Sequence, residues 1–289
     1  MRRRLKQKKG HIELGHRPGE RSHGQGEGRR RRWLALLGIA AACASGAGLV
    51  AFLLIAVWPG GQSGPPKAAI VDQLSLTSPN PGFVDKAKGM LEAAGFEVDY
   101  FAGEEATVNL FRDLPDQDYS YVILRVHSTA VLREQGTAAP TENTVLFTGE
   151  PWSETSYLEE QKARHLARTH YATGDQNYYF GITADFIRSR MNGDFGRATI
   201  LAMGCDGLKS DAAAAAFVDR GAQVVIGWDG EVSASHTDAA TELLLHYLLV
   251  EKRTPSEAVA QAMADVGPDP SYGSKLLLYP AEAAASSAP

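Results

Sequence analysis

The sequence predicts an α/β domain with a mostly parallel six-stranded sheet, preceded by one transmembrane helix. Three observations support this. Short apolar or β-rich runs alternate with stretches of helical spacing, the succession opens as β-α-β-α-β, and one uncharged apolar segment lies near the amino end. The 289 residues suffice for one large domain, and two cysteines are too few for a disulfide scaffold.

The charge of the chain is segregated along its length. Residues 1–32 carry 12 Lys or Arg and three acidic residues, a net charge of +9. The rest has 17 basic and 31 acidic residues, a net charge of −14. An acidic surface repels phosphate, so the main domain is not expected to bind nucleic acid. The basic arm, residues 1–32, has the composition to bind anionic lipid or RNA.

The segment 33–58 contains no charged residue and no proline. As a helix it would measure about 39 Å, more than the bilayer hydrocarbon core of about 30 Å. Trp33 and Trp58 stand at its ends, and four arginines at 29–32 precede it. These features predict a single-pass anchor in the cell membrane, with a cytoplasmic N-terminus and an extracytoplasmic main domain. A cleaved signal peptide is the alternative, and the second apolar stretch after Gly48 favours the anchor.

A Gly/Pro/Ser spacer at 59–66 and a flexible tail at 281–289 flank the predicted folded domain, residues 67–280. Within the domain, alternating strands and helices favour a parallel sheet with right-handed crossovers. The predicted strands are 67–76, 96–103, 119–126, 197–204, 222–228 and 274–280. The predicted helices are 83–95, 107–114, 182–191, 211–221, 233–252 and 255–267, the last with a capping box at Thr254 and Glu257.

Residues 131–177 interrupt this alternation. They contain a long polar run, and only 145–150 has the pattern of a strand, as one arm of a hairpin. A long polar excursion inside an α/β domain is more often a surface insertion near a site than part of the core. We therefore expect this stretch at the surface, beside a functional site.

Two of the predicted buried strands run directly into a reactive residue. His127 follows strand 119–126, and Cys205 follows strand 197–204. Ligands bind at the carboxyl edge of an open parallel sheet, and neighbouring strands lie about 5 Å apart. If these two strands are neighbours, the imidazole and the thiol can come within reach of each other. Such a pair can supply a nucleophile and a proton carrier, while backbone N–H groups hold a developing oxyanion.

Cys205 is the only cysteine outside segment 33–58, because Cys43 lies within that segment. A lone thiol beyond the membrane is either buried and inert or kept for chemistry. A helix that begins near Ser210 would favour the thiolate, whereas Asp206 would oppose it. The sequence leaves the net direction of this effect open.

The sequence around these residues resembles the caspase-like cysteine peptidases, a group that includes clostripain, gingipain, the metacaspases and the CHAT domains. The likeness consists of His127-Ser128 after one strand, Gly204-Cys205 after another, and the run RGAQVVIGW followed by a helix. It covers about residues 67–280. The resemblance implies a three-layer sandwich, with the six-stranded sheet between layers of helices. It also implies that His127 is the general acid/base and Cys205 the nucleophile.

The candidate oxyanion hole involves backbone groups beside both residues. The family usually has a glycine directly after the histidine, and the backbone N–H of that glycine helps to form the hole. Here Ser128 stands in that place and keeps the N–H while adding a Cβ. Gly204 and Gly207 flank the cysteine and allow a substrate to approach closely. The candidate backbone residues of the hole are therefore Ser128 and Gly204.

The loop after strand 222–228 also leaves the carboxyl edge of the predicted sheet. In the family the equivalent loop contributes to the substrate groove, which makes Trp228, Asp229 and Glu231 candidate pocket residues, together with Asp206. Acidic side chains there would favour a basic residue before the scissile bond. The alternative is a solvated acidic loop. No metal or cofactor is expected, because no set of ligands at metal-binding spacing is visible, His165 and His170 included.

The combined expectation is a membrane-anchored cysteine-type peptidase that hydrolyses peptide bonds in a peptide or protein substrate. One alternative is a catalytically inactive caspase-fold binding or sensor module tethered to the membrane. A second alternative is a redox or ligand sensor that uses Cys205 without hydrolysis.

Overall fold

The computed structural model describes residues 64–133, 141–171 and 177–281. The predicted arm and transmembrane helix, with most of the spacer and of the tail, lie outside these ranges. Within the described ranges, no helix combines the length and the apolar character needed to cross a bilayer.

Six strands form the main sheet, in the spatial order β10-β9-β8-β3-β1-β2. They are β1 (Lys67–Asp72), β2 (Glu97–Ala102), β3 (Tyr119–Leu124), β8 (Thr199–Ala202), β9 (Val224–Trp228) and β10 (Leu276–Tyr279). Neighbouring strands pair in parallel except β10, which is antiparallel to β9. The predicted mostly parallel six-stranded sheet is confirmed.

Among the described residues, seven α-helices pack around the sheets. They are α1 (Pro81–Ala93), α2 (Val108–Asp113), α3 (Leu158–Lys162), α4 (Ala184–Arg190), α5 (Ala212–Asp219), α6 (Ala234–Leu245) and α7 (Pro255–Val266). A π-helical turn, His246–Val250, continues α6. The predicted capping box of α7 is confirmed, because Thr254 and Glu257 bond reciprocally.

The helices cover both faces of the main sheet. Successive residues of a strand point to opposite faces, so Ala68 and Ile70 pack against α1, α6 and α7, whereas Ala69 and Val71 face α2, α4 and α5. The α/β class is therefore confirmed, and the arrangement is compatible with a three-layer sandwich.

The segment after β1 differs from the prediction. The β-rich run was expected to extend over 67–76, but the strand ends at Asp72 and a single 3-10 turn covers Gln73–Leu76. The turn begins where the segment leaves the sheet, and its buried side chains are Gln73 and Leu74. This change of conformation brings Gln73 and Thr77 to the carboxyl edge of the sheet.

The excursion forms a second, four-stranded antiparallel sheet in the order β4-β5-β7-β6. Its strands are β4 (Ser128–Arg133), β5 (Thr141–Pro151), β6 (Leu166–Thr169) and β7 (Tyr179–Ile182). Only part of β5 was expected as a strand. The expectation of a surface position was wrong for one apolar face of this second sheet, which joins the core. Leu146, Phe180 and Ile182 are buried there together with residues of α2 and α4.

Candidate active site

His127 and Cys205 lie at equivalent positions just after two paired strands. In the parallel pair of β3 and β8, Leu124 lies opposite Ala202. The ladder continues by one hydrogen bond of 3.0 Å from Met203 N–H to Leu124 O. Since each reactive residue follows its strand at the same offset, the register brings both loops out at one edge of the sheet.

The two loops approach each other closely at Gly204. A Cβ at this position would fall 2.2 Å from Ser128 Oγ and 2.3 Å from the carbonyl oxygen of Val126. The Ser128 hydroxyl donates a hydrogen bond of 2.5 Å to the carbonyl oxygen of Cys205. The two candidate oxyanion residues therefore pack against each other, and the absence of a side chain at Gly204 permits the contact.

The backbone and the ring of His127 are each held by a neighbour. Its N–H donates to Gln73 Oε1 at 2.9 Å, and its carbonyl accepts from Phe147 N–H at 2.8 Å. The ring nitrogen Nε2 lies 2.8 Å from Thr77 Oγ1. The Tyr171 ring lies 5.1 Å away between centroids and closes one side of the imidazole. Thr77 therefore occupies one ring nitrogen, and within the described residues no hydrogen bond engages the other, Nδ1.

The excursion, residues 131–177, supplies the aromatic rings beside the His127 imidazole. Phe147 belongs to β5 and Tyr171 follows β6, and their rings also contact each other at 6.0 Å. The side-chain N–H of Gln73 donates to the Tyr171 hydroxyl, and its oxygen accepts from the His127 N–H. This one glutamine therefore joins the excursion to the His127 backbone. The expectation that the excursion lies beside the candidate site agrees with these contacts.

Burial lowers the pKa of His127, and the nearby Arg125 cation lowers it further. Both effects disfavour the imidazolium, because it loses hydration and meets a like charge. The imidazole is therefore neutral at neutral pH and can accept a proton.

The Cys205 thiol faces the backbone of Val232. It donates to the Val232 carbonyl at 3.6 Å and accepts from the Val232 N–H at 3.4 Å. In the described part of the chain, no hydrogen bond joins this thiol to His127. The thiol and the imidazole therefore share one edge of the sheet without a hydrogen bond between them.

Burial raises the pKa of the Cys205 thiol, and the charges of Asp206 and Glu231 act in the same direction. The Val232 N–H opposes them, because it donates to sulfur and favours the thiolate. The net direction, which the sequence left open, is toward the protonated thiol.

The four predicted pocket residues have different environments. Trp228 is buried in the core and its indole donates to Thr237 Oγ1 at 2.9 Å. The Asp229 carboxylate accepts from Lys275 N–H at 2.7 Å and fastens the loop to the residue before β10. Glu231 is exposed. Of these three, only Glu231 presents an exposed side chain.

Asp206, the fourth pocket candidate, is buried against the second sheet. Its Oδ2 accepts from the N–H of Ala130 in β4 at 3.1 Å, and its backbone is left-handed with φ 57°. Within the described residues, its other carboxylate oxygen is buried and has no hydrogen bond, although Lys209 Nζ lies 3.7 Å away. Asp206 therefore links the cysteine loop to β4.

A second loop, residues 267–275, holds the loop that contains Val232. The Asp269 carboxylate is buried and accepts hydrogen bonds from the N–H and the hydroxyl of Ser233 and from the N–H groups of Ser271 and Tyr272. Burial alone would raise the pKa of Asp269, but these hydrogen bonds outweigh it and lower the pKa to about 2. Sequence reasoning missed this residue.

Arg125 was missed as well. It lies two residues before His127, and its side chain is fully buried. Its guanidinium binds the carboxylates of Asp72 and Asp238. A charged residue inside the apolar run VILRV was the available signal, because a buried charge needs a partner.

Two other histidines form hydrogen bonds with different partners. His165 Nδ1 accepts from Arg190 Nε at 2.9 Å, and His236 Nε2 lies 3.1 Å from the carbonyl oxygen of Gly267. In the ranges that the structure covers, no cluster of three or more His, Cys, Asp or Glu side chains could hold a metal ion.

No protein-family model matches the chain, and no curated protein matches it significantly.

Proposed function

We propose that this chain is a membrane-anchored cysteine-type peptidase of the caspase-like group, held by segment 33–58 with its main domain outside the cytoplasm. Cys205 would be the nucleophile and His127 the general acid/base. The observation that carries the proposal is the shared position of the two residues, each at the same offset after a pair of strands in register. The contact between Ser128 and Gly204 beside them supports it.

The proposed mechanism gives each ring nitrogen of His127 a role. For Nδ1 to accept the thiol proton, it must carry the lone pair, so Nε2 carries the hydrogen. Nε2–H then donates to Thr77 Oγ1, 2.8 Å away. The Thr77 hydroxyl, which can accept as well as donate, accommodates this tautomer and leaves Nδ1 basic.

The reaction begins when the Cys205 thiol turns from Val232 toward His127. Nδ1 takes the thiol proton, and the sulfur attacks the carbonyl carbon of the peptide bond. The carbonyl oxygen becomes an oxyanion. The backbone N–H of Ser128, the residue directly after His127, would donate a hydrogen bond to it. The imidazolium gives its proton to the leaving amine, and the C–N bond breaks to leave a thioester on Cys205.

The second half of the reaction restores the enzyme. His127 accepts a proton from water, whose oxygen attacks the thioester carbonyl. When the C–S bond breaks, the sulfur recovers the proton from the imidazolium. The products are a carboxylic acid and an amine, and both side chains return to their neutral resting forms.

Glu231 supports a preference for a basic residue before the scissile bond. It is exposed, it lies one residue from Val232, and its charge influences the Cys205 thiol. The other acids of this region bind backbone N–H groups of the protein itself. An exposed carboxylate beside the nucleophile would attract a substrate cation.

A second candidate function is an inactive binding or sensor module with the same fold. The observation that favours it is the resting thiol, which bonds to Val232 and not to His127. Redox sensing by Cys205 is disfavoured, because burial raises the pKa of the thiol and the thiolate is the form that oxidises readily.

The deciding experiment compares the full-length protein in detergent with its Cys205→Ala and His127→Ala variants on a peptide library, read by mass spectrometry. We expect cleavage by the wild type and by a Cys43→Ala control, and none by the two variants. Equal cleavage by wild type and Cys205→Ala would exclude the proposed nucleophile. Peptide binding by all forms without cleavage would identify the binding module instead.

A further inference from the structure

Arg125 carries a positive charge in a fully buried position at the end of β3. Nε and Nη2 donate to the two carboxylate oxygens of Asp238 at 2.8 and 2.9 Å. Nη1 donates to Asp72 at 2.7 Å. Nη2 also donates to the carbonyl of Ser78 at 2.9 Å. The guanidinium thus joins three separate elements: the end of β1, the segment before α1, and α6.

Two of these contacts bracket one short segment. Asp72 is the last residue of β1, and Ser78 lies just before α1, so Arg125 grips both ends of segment 72–78. Inside that segment are Gln73 and Thr77, which hold the backbone and the ring of His127. The positions of Gln73 and Thr77, the partners of His127, therefore depend on Arg125, which lies two residues before His127.

The two acids of this cluster are themselves fixed by neutral donors. Tyr100 donates to Asp72 at 3.0 Å, and Asn80 Nδ2 donates to Asp238 at 2.8 Å. Asn80 also caps α1, because its side-chain oxygen accepts from Phe83 N–H at 3.2 Å. With these donors the guanidinium has little freedom to move.

The chemistry of the cluster requires arginine. A guanidinium presents five donors in a planar fork, and Arg125 uses four hydrogen bonds on three partners. Lysine would keep the charge, but its ammonium is a point charge with three donors on a flexible stem. It could not bind Asp238 through two atoms and still reach both ends of segment 72–78.

We propose that Arg125 is a positioning residue, which orients the His127 ring through segment 72–78 and so keeps Thr77 within hydrogen-bond distance of Nε2. This inference rests on the proposed function, because it concerns the base of the same reaction. Arg125 itself touches neither the substrate nor the reacting atoms. It acts by holding Gln73 and Thr77 in place.

The test uses Arg125→Lys in the full-length protein, labelled with ¹⁵N-histidine. In the wild type, His127 should give the NMR signals of a single tautomer with hydrogen on Nε2. In Arg125→Lys those signals should shift toward a mixture of tautomers. Peptide cleavage should fall by about 100-fold in kcat with little change in KM, because the base is misplaced while the substrate groove is intact.

Arg220→Lys is the matched control. Arg220 also binds backbone carbonyls at a helix end, those of Ile187 and Gly193, and it makes no contact with the His127 partners. Its replacement should lower stability without moving the His127 signals. If Arg125→Lys fails to fold, Asp238→Asn provides the second variant. It removes the negative charge that the Arg125 guanidinium binds and keeps the shape of the side chain.

The outcomes separate the two proposals. A shift of the His127 signals in a protein that cleaves no peptide supports the positioning role and rejects the peptidase. Unchanged His127 signals and an unchanged kcat in a folded Arg125→Lys or Asp238→Asn protein would overturn the positioning role while leaving the peptidase intact. A wild-type His127 with hydrogen on Nδ1 would overturn the tautomer assignment on which the role depends.

Discussion

The hydroxyl of Ser128 donates a hydrogen bond to the carbonyl oxygen of Cys205, with 2.5 Å between the two oxygens. The residue after His127 is thus tied to the residue that carries the thiol. In the caspase-like peptidases, the group to which we propose the chain belongs, the position after the histidine is usually glycine, which has no side chain for such a bond. The serine here adds a link between the two loops.

Replacing Ser128 should therefore weaken the domain. Ser128→Ala loses this part-buried hydrogen bond, and we expect the free energy of unfolding to fall by about 1 kcal/mol. Ser128→Gly should fall further, because glycine has more backbone freedom in the unfolded chain. Denaturant unfolding followed by tryptophan fluorescence measures both. A Ser128→Ala protein as stable as the wild type would show that the link contributes nothing.

Gly204→Ala should be more disruptive. The new Cβ would lie 2.3 Å from the Val126 carbonyl oxygen, and a backbone atom cannot turn aside as a side chain can. We expect a loss of about 1–3 kcal/mol in unfolding free energy. Gly89→Ala in α1 is the matched control, because nothing lies within 4 Å of its Cβ. That variant should be neutral or stabilising by about 1 kcal/mol, and equal losses in both would contradict the close approach.

The reactivity of Cys205 should depend on pH in a defined direction. Burial, Asp206 and Glu231 raise the pKa of the thiol, so alkylation by iodoacetamide should reach its half-maximal rate at a higher pH than for a free cysteine. Glu231→Gln removes one negative charge and should shift the profile toward lower pH. In a Cys43→Ala background, mass spectrometry of the labelled peptide gives the rate, with Glu92→Gln in α1 as the control. An unchanged profile in Glu231→Gln would place that charge too far from the sulfur to act.

Cleavage should persist at lower pH than an ordinary histidine allows. Burial and then Arg125 lower the pKa of His127, so the imidazole keeps its lone pair until the pH falls below its usual range near 6.5. The acid limb of kcat/KM should therefore lie below that range. A limb at or above the usual value would mean that another group limits the rate.

Thr77 gives a direct test of the ring assignment. Thr77→Val keeps the shape and loses the hydrogen bond to Nε2, so kcat should fall by about tenfold, which corresponds to about 1.4 kcal/mol. Thr77→Ser keeps the hydroxyl and should retain most of the activity. The comparison of the two variants by steady-state kinetics isolates the hydroxyl. Equal activity in Thr77→Val and Thr77→Ser would remove Thr77 from the mechanism.

Asp269 should stabilise the domain in a pH-dependent way. Its pKa of about 2 is lower than that of an unfolded aspartate, near 3.9, so its contribution is complete above about pH 4 and is lost as the pH falls toward 2. Asp269→Asn should therefore be less stable than the wild type at pH 6, and the difference should shrink in acid. Asp265→Asn, which loses a partner of the Tyr247 hydroxyl, is the control. A difference that stays constant down to pH 2 would contradict the role of the charge.

Much of the main sheet could be predicted from local patterns. The runs around Val122, Ile200 and Val225 are apolar because both faces of a central parallel strand are covered. The same reading placed His127 and Cys205 at the carboxyl ends of their strands. The pairing of β3 with β8 could only be assumed, because 78 residues separate the two reactive side chains.

The missed features depend on contacts between distant parts of the chain. Arg125 meets its partners across 53 and 113 residues, so no spacing in the sequence joins them. The second sheet was hidden for a related reason: β6 and β7 have four residues each, too few for a clear alternation. Asp269 lies in a Pro-rich turn, where an aspartate is expected for local reasons.

The second sheet lies between His127 and Cys205 in the chain, yet it contributes no residue to the main sheet that aligns them. One contiguous stretch thus encodes the aromatic surface against the imidazole, and separate stretches encode the reactive groups. Any stretch that replaced it would have to supply the N–H groups that now bond to the His127 carbonyl and the Asp206 carboxylate, and an apolar face that fills the same part of the core.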